Sequence, residues 1–305
     1  MKPLIIYHDN CADGFGAAWA AYKKFGADGA EYLPMNYNDP RVAVNHDELV
    51  FPVEVVDRDV YILDFSFPKD VMLEIELRAS KFTLLDHHKT VFEQFGLDPQ
   101  RRHTDSGGKG SLAILDPNKS GCVLAWEHFH PGTEIPTLLK YIEDRDLWRW
   151  QYDHTRDFST ALRSEPFSFG YFDRVQMNLI AFIDAGAAMN RLFDQQLADI
   201  TMYPVPTRLY VVEGSCGRIG MSVNCTPQFA SEGGNKLAKL SGTYGMTWCA
   251  GDEGQVFVSL RSVGDYDVSA IAKVYGGGGH KNAAGFKITF DKLKFNDQGE
   301  LEVLL

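Results

Sequence analysis

In the stretch TLLDHHKT, residues 83–90, an apolar run ends on Asp86, His87 and His88. Two other apolar runs end in the same way. VYILD closes on Asp64, and LIIYH closes on His8, with Asp13 five residues later in HDNCADG. A single aspartate at a strand end is commonly a cap or turn residue, and adjacent histidines can sit in a wet turn. Three such ends with His8 and His87 on the same rim are a different proposition. Carboxylates crowded together repel unless cations neutralise them. Carboxylates mixed with imidazoles suit manganese and similar divalent ions.

Those residues need strands that end side by side. PLIIYHD (3–9), DVYILDF (59–65) and FTLLDH (82–87) read as buried strands. Helical patterns lie between them: one over 15–25, where Phe15, Ala18, Trp19 and Tyr22 share a face, and one in PKDVMLEIELRAS. This rhythm predicts a parallel sheet with right-handed crossovers. Its strand ends would open on one crevice, where such folds bind ligands. Further helices are expected near SGCVLAWEHF and PTLLKYIEDRDLW, and a long one over 178–202. The second of these carries Asp144 and Asp146, which on a helix point in different directions, so only one can face a given site.

The two prolines of YPVPTR break the pattern and mark a boundary. After them RLYVVEG, YGMTWCA and QVFVSLRS read as strands, followed by a helix over 268–275 and a final strand GFKITF. The expected fold is therefore α/β: a parallel-sheet domain at 1–185, a linking helix at 186–203, and a smaller α/β domain at 204–305.

Composition limits the function. A chain of 305 residues has room for two cores, and 45% hydrophobic with 23% charged residues is ordinary for a globular protein. No run approaches the ~18 apolar residues of a membrane span, and the apolar run of MKPLIIYHDN is too short for a signal peptide. Five cysteines, odd in number and without C-x-x-C spacing, fit reduced thiols in a cytoplasm. The formal charge of −11, from 41 acids and 30 bases, argues against a track for long nucleic acid. A small anionic substrate held by a few groups and a metal is compatible.

Other stretches bear on function less directly. The run Gly276–Gly279 before His280 is either a turn or a set of bare amides that an anionic or nucleotide group can approach closely. SGGKGS (106–111) lacks the spacing of a P-loop. His128 and His130 fit the end of a helix. The aromatics of LWRWQY (147–152) could stack on a base, but such a stripe reads first as core.

Together the motifs carry a resemblance over nearly the whole chain, to the DHH-family phosphoesterases with the DHH-associated C-terminal domain. YHDNCADGFGAAWAAY is similar to the family's first motif, ILDF to the second, LLDHHKT to the third and YIEDRDLW to the fourth. DPNKSGCVLAWEHF resembles the helix between the third and fourth, and YGGGGHKNAAGF the glycine-rich signature of the associated domain. The resemblance implies two divalent metal ions, Mn2+ first, with Mg2+ or Co2+ as alternatives. It implies His8 and Asp13 as ligands, Asp64 as the carboxylate bridging both ions, and His87 and Asp144 on the second. Asp146 is the rival of Asp144, and the match of YIED favours Asp144. Asp86 is expected to orient a histidine from behind, and His88 to face the scissile phosphate. Cys11 stands where the family often has a further carboxylate, and reads as a small buried cysteine rather than a thiolate ligand. Gly277, Gly278, Gly279 and His280 are implied to receive the anionic end of a nucleotide, and Arg261 to pair with a substrate phosphate.

The implied reaction is metal-assisted hydrolysis of linear dinucleotides, such as pGpG or pApA, and of very short oligonucleotides, in a cleft between the domains. Long nucleic acid and membrane are not expected partners, and a homodimer is compatible. Alternatives are a phosphatase acting on 3′-phosphoadenosine 5′-phosphate and a nucleotide-binding sensor without catalysis.

Overall fold

Strands and helices alternate through the first of two units, Met1–Asn190. The structure is a computed structural model that describes residues 1–37, 39–45, 48–107, 110–212, 215–216 and 219–305. Gly108 and Lys109 of SGGKGS lie outside the described residues. The chain opens with β1 (Leu4–His8), α1 (Ala12–Phe25) and β2 (Glu31–Met35). A short hairpin of β3 (Ala43–Asn45) and β4 (Glu48–Val50) precedes β5 (Asp59–Leu63), α2 (Lys69–Arg78) and β6 (Lys81–Asp86). Then come α3 (Lys89–Phe95), β7 (His103–Ser106), β8 (Leu112–Leu115) and α4 (Gly121–Phe129). Four helices complete the series: α5 (Thr137–Asp146), α6 (Thr155–Leu162), α7 (Phe169–Met177) and α8 (Leu179–Ile200).

Six strands form one sheet in the order β2-β1-β5-β6-β8-β7. All neighbours run parallel except β8 and β7. The sheet is covered on both faces, which is why its central strands read as unbroken apolar runs. Ile5, Leu63 and Leu85 pack with Trp19 of α1 and Leu124 of α4 on one side. Leu4, Ile6, Ile62 and Leu84 pack with Val71, Met72 and Ile75 of α2 and Phe92 of α3 on the other.

The linking helix expected over 186–203 is the C-terminal part of α8, and the division into units falls inside that helix, after Asn190. Asn190 donates to Asp157 at 2.7 Å within the first unit. Phe193 and Leu197 pack with Val223, Phe229 and Leu237 in the second.

The second unit, Arg191–Leu305, begins with β9 (Val205–Val212), β10 (Ser215–Cys216), β11 (Gly220–Asn224) and α9 (Ala230–Ser241). It continues with β12 (Tyr244–Ala250), β13 (Gln255–Ser262), α10 (Val268–Val274), β14 (Gly278–His280) and β15 (Ala283–Thr289). GFKITF is not the final strand, because β16 (Leu293–Phe295) and β17 (Leu301–Val303) follow it. Eight strands run β14-β15-β13-β12-β11-β9-β17-β16, with β10 paired to β9. Met246, Val258, Leu260, Ile271 and Phe286 lie at the centre of its core. No helix among the described residues is long and apolar enough to cross a membrane.

Candidate metal centre

Strand register builds the site. Tyr7 of β1 pairs with Leu63 of β5, and Leu63 pairs with Leu85 of β6. The next residue of each strand is therefore His8, Asp64 and Asp86, one row at the carboxyl edge of a parallel sheet. Asp64 turns out of its strand with φ +65°, a left-handed conformation that is uncommon for a residue with a side chain. Such strain, costing about 1–3 kcal/mol, persists where surrounding contacts over-determine it. Here the Asp64 amide donates to the Leu85 carbonyl at 2.9 Å. Gly121, at the start of α4, lies against the Asp64 side chain so closely that a Cβ there would come within 2.5 Å of Asp64 Cβ.

Asp13, in the first turn of α1, is fixed from the far side. Its two oxygens accept from the Gly121 and Cys122 amides, at 2.6 and 2.8 Å, which are otherwise orphan donors at the start of α4. Asp64 directs one oxygen to each histidine: Oδ2 lies 3.6 Å from His8 Nδ1, and Oδ1 lies 3.2 Å from His87 Nε2. The same His87 nitrogen is 3.5 Å from Asp13 Oδ2 and 3.4 Å from Asp146 Oδ2. Asp86 accepts from the His87 and His88 amides and from His88 Nδ1 at 2.8 Å through a single oxygen, Oδ1. It thus orients His88.

Among the described residues three overlapping donor sets could hold a metal ion: His8, Cys11 and Asp64; Asp64, His87 and His88; and Asp13, His87 and Asp146. The donors fit a divalent cation on a physical test. Among the described residues four buried side-chain polar atoms lack a hydrogen-bond partner, and three of them are His8 Nδ1, Asp64 Oδ2 and Asp86 Oδ2. Buried groups of this kind are costly unless something satisfies them. The electrostatics agree. Burial and the nearby Asp13 carboxylate push Asp64 well above the usual carboxylate range. Burial and Asp13 push Asp146 up to about 6. Burial alone would depress the His87 imidazole, but Asp64, Asp13 and Asp146 outweigh it and push its pKa up to about 10. The cluster draws in positive charge, which is the behaviour of a cation site.

The second unit holds the remaining candidates. Arg261, on β13, is half-buried, and burial lowers its pKa. Its guanidinium donates to neutral acceptors: the hydroxyls of Ser259 and Ser231 and the Leu260 carbonyl, at 2.8–3.1 Å. The glycine run is partly β-structured, with Gly278, Gly279 and His280 forming the exposed edge strand β14 against β15. Gly277 passes so close to β15 that a Cβ would meet the Gly285 carbonyl oxygen at 2.1 Å.

The family of the DHHA1 domain matches residues 230–297. Over 98% of its length the chain is 30% identical to uncharacterized protein R106 of Acanthamoeba polyphaga mimivirus, covering 72% of that protein. Over 93% of its length it is 24% identical to oligoribonuclease NrnB of Bacillus subtilis, again covering 72%. The chain belongs to the DHH phosphoesterase family. Among solved structures its fold is similar to that of the pGpG-specific phosphodiesterase PggH of Vibrio cholerae, with a TM-score of 0.50 at 12% identity, across 95% of this chain and 94% of that one.

In this DHH phosphoesterase the fourth-motif expectation needs correction. Asp144 does not face the cluster. It is buried, and its carboxylate accepts from the Gln151 amide at 2.8 Å, the Tyr152 amide at 3.2 Å and the Thr155 hydroxyl. It ties down the loop after α5, and Asp146, two residues on, is the one beside His87. Cys11 is also not the inert buried residue expected, since it is partly exposed and its sulfur stands with His8 and Asp64. Tyr37, unremarked in the sequence, packs its ring 5.0 Å from that of His8 and 5.9 Å from that of His88. The only signal for it is its place just beyond β2, the strand beside β1. LWRWQY is not core either: Trp148 is 67% exposed and Trp150 41%.

Proposed function

We propose that this protein is a metal-dependent phosphodiesterase that hydrolyses linear dinucleotides, such as pGpG or pApA, and very short oligonucleotides to nucleoside monophosphates. The observation that carries the reading is the joined donor set at the sheet edge, where Asp64 offers one oxygen toward His8 and the other toward His87. Two divalent ions, Mn2+ foremost with Mg2+ or Co2+ as alternatives, held by His8, Asp13, Asp64, His87 and Asp146, would supply an activated water and charge for the phosphate oxygens. Asp86 fixes His88 through Nδ1, leaving the other ring nitrogen to be offered to the scissile phosphate. Arg261, which among the described residues donates to two hydroxyls and a carbonyl, offers a cation to a terminal phosphate, with Gly277, Gly278, Gly279 and His280 as its partners in binding. The similarity to an oligoribonuclease supports the choice of short strands.

The test is product analysis by chromatography after incubation with manganese, on a panel of pApA, pGpG, a pentamer, a cyclic dinucleotide and 3′-phosphoadenosine 5′-phosphate. Monophosphates released from the linear dinucleotides are expected. Cleavage of the bisphosphate alone would assign a phosphatase, and binding without turnover would assign a sensor.

A further inference from the structure

The loop between α5 and α6 presents two tryptophans in a way that packing does not require. Trp148 and Trp150 both hold left-handed backbone, each with φ +55°, an uncommon state for bulky side chains. Their rings meet edge to face at 5.0 Å, and the Arg145 guanidinium lies over both, 4.3 Å from Trp148 and 4.9 Å from Trp150. The loop is tied down rather than slack. Asp144 takes the Gln151 and Tyr152 amides, the Arg149 amide donates to the Asp144 carbonyl at 2.9 Å, and Arg149 Nη1 reaches Glu143 at 2.7 Å. A chain that accepts two strained residues in order to hold large apolar rings in water is presenting them to something.

The position says what that is. Arg145 is the neighbour of Asp146, and both line one small cavity with Cys11 and Asp13 of the metal cluster. We infer that Trp148, Trp150 and Arg145 form a stacking platform for one nucleobase of the substrate, a subsite that binds the base while the metal cluster receives the phosphate. This rests on the nucleotide reading above. Aromatic faces with a guanidinium stack on any base, so the platform provides affinity without base preference.

The experiment uses the full-length protein and follows tryptophan fluorescence during titration with AMP, with ribose 5-phosphate as the same phosphate lacking a base. AMP is expected to quench and ribose 5-phosphate not to. Trp148→Ala and Trp150→Ala should each weaken AMP binding, by between about 5- and 100-fold, with Trp148→Phe retaining most of it and melting temperatures close to wild type. KM for pApA should rise in the alanine variants with kcat little changed. Equal AMP affinity in the double alanine variant, or ribose 5-phosphate binding as tightly as AMP, would overturn the platform. So would self-association in sedimentation that the same substitutions abolish, since the rings would then seat a second copy. The two readings fail separately. Trp-dependent AMP binding without pApA hydrolysis sinks the phosphodiesterase and leaves the platform, whereas hydrolysis with unchanged KM in the variants does the reverse.

Discussion

Asp144 and Asp146 sit two residues apart on the last turn of α5 and do opposite work. Asp144 is a structural acceptor for two amides and a hydroxyl, so Asp144→Ala should lower stability by at least about 2 kcal/mol, since hydrogen bonds to a charged group are worth roughly 1.5–3 kcal/mol each. Asp146→Asn should leave the melting temperature nearly unchanged and weaken manganese binding measured by calorimetry at least about tenfold. If the two variants exchange these phenotypes, the assignment made from the geometry is wrong. Spacing shows that only one of the pair can face the cluster but cannot say which, because the choice depends on a loop whose course is set by Asp144 itself. Cys11 raises a similar question. Burial, with Asp64 and Asp13 nearby, pushes its thiol up to about 12, so it would coordinate only where a metal displaces the proton. Cobalt-loaded protein is expected to show a sulfur-to-metal charge-transfer band that Cys11→Ser abolishes. Identical spectra would return Cys11 to a packing role.

At the scale of elements, the site depends on α4 starting where it does. Its first two amides hold Asp13, and Gly121 leaves room for Asp64. Gly121→Ala should therefore cost about 1–3 kcal/mol as an overpacked contact and reduce metal affinity, because the added methyl displaces the one carboxylate shared between the histidines. Calorimetric titration with manganese, beside a thermal melt, separates the two effects; unchanged affinity would mean that Asp64 can shift freely. The elements that place this machinery were legible where burial was two-sided. β1, β6 and β12 stand out as near-continuous apolar runs, whereas β13 buries alternate residues and the long helices show by their helical periodicity. The others hide for physical reasons. β2 is an edge strand carrying Pro34, β7 is the polar edge sequence HTDS, and β16 and β17 are three residues each. α9 contains two adjacent glycines that lower its intrinsic helicity. The left-handed tryptophans leave no trace in the sequence, since their backbone is held by hydrogen bonds to Asp144 and Glu143 that no residue pattern marks.

For the whole molecule, charge and site count bear on substrate length. A net charge of −11 gives little steering for a long polyanion. The cationic groups proposed for substrate are few: the metal cluster for one phosphate and Arg261 for another. On that proposal a dinucleotide carrying a 5′-phosphate has one phosphate for each group, while each further phosphate of a longer strand would face a chain with 41 acids and 30 bases. We expect kcat/KM to be highest for 5′-phosphorylated dinucleotides and to fall along a ladder from two to ten nucleotides, at fixed manganese and salt. The same argument sets the salt dependence. Single strands lose about 0.7 log units of affinity per phosphate contact for each tenfold rise in salt. A substrate held at two phosphates predicts a shallow salt dependence for the dinucleotide, and no steeper one for the decamer. A flat or rising ladder, with a slope that steepens as the strand lengthens, would mean that an extended basic groove exists after all and that the enzyme works along a strand rather than on its last fragments.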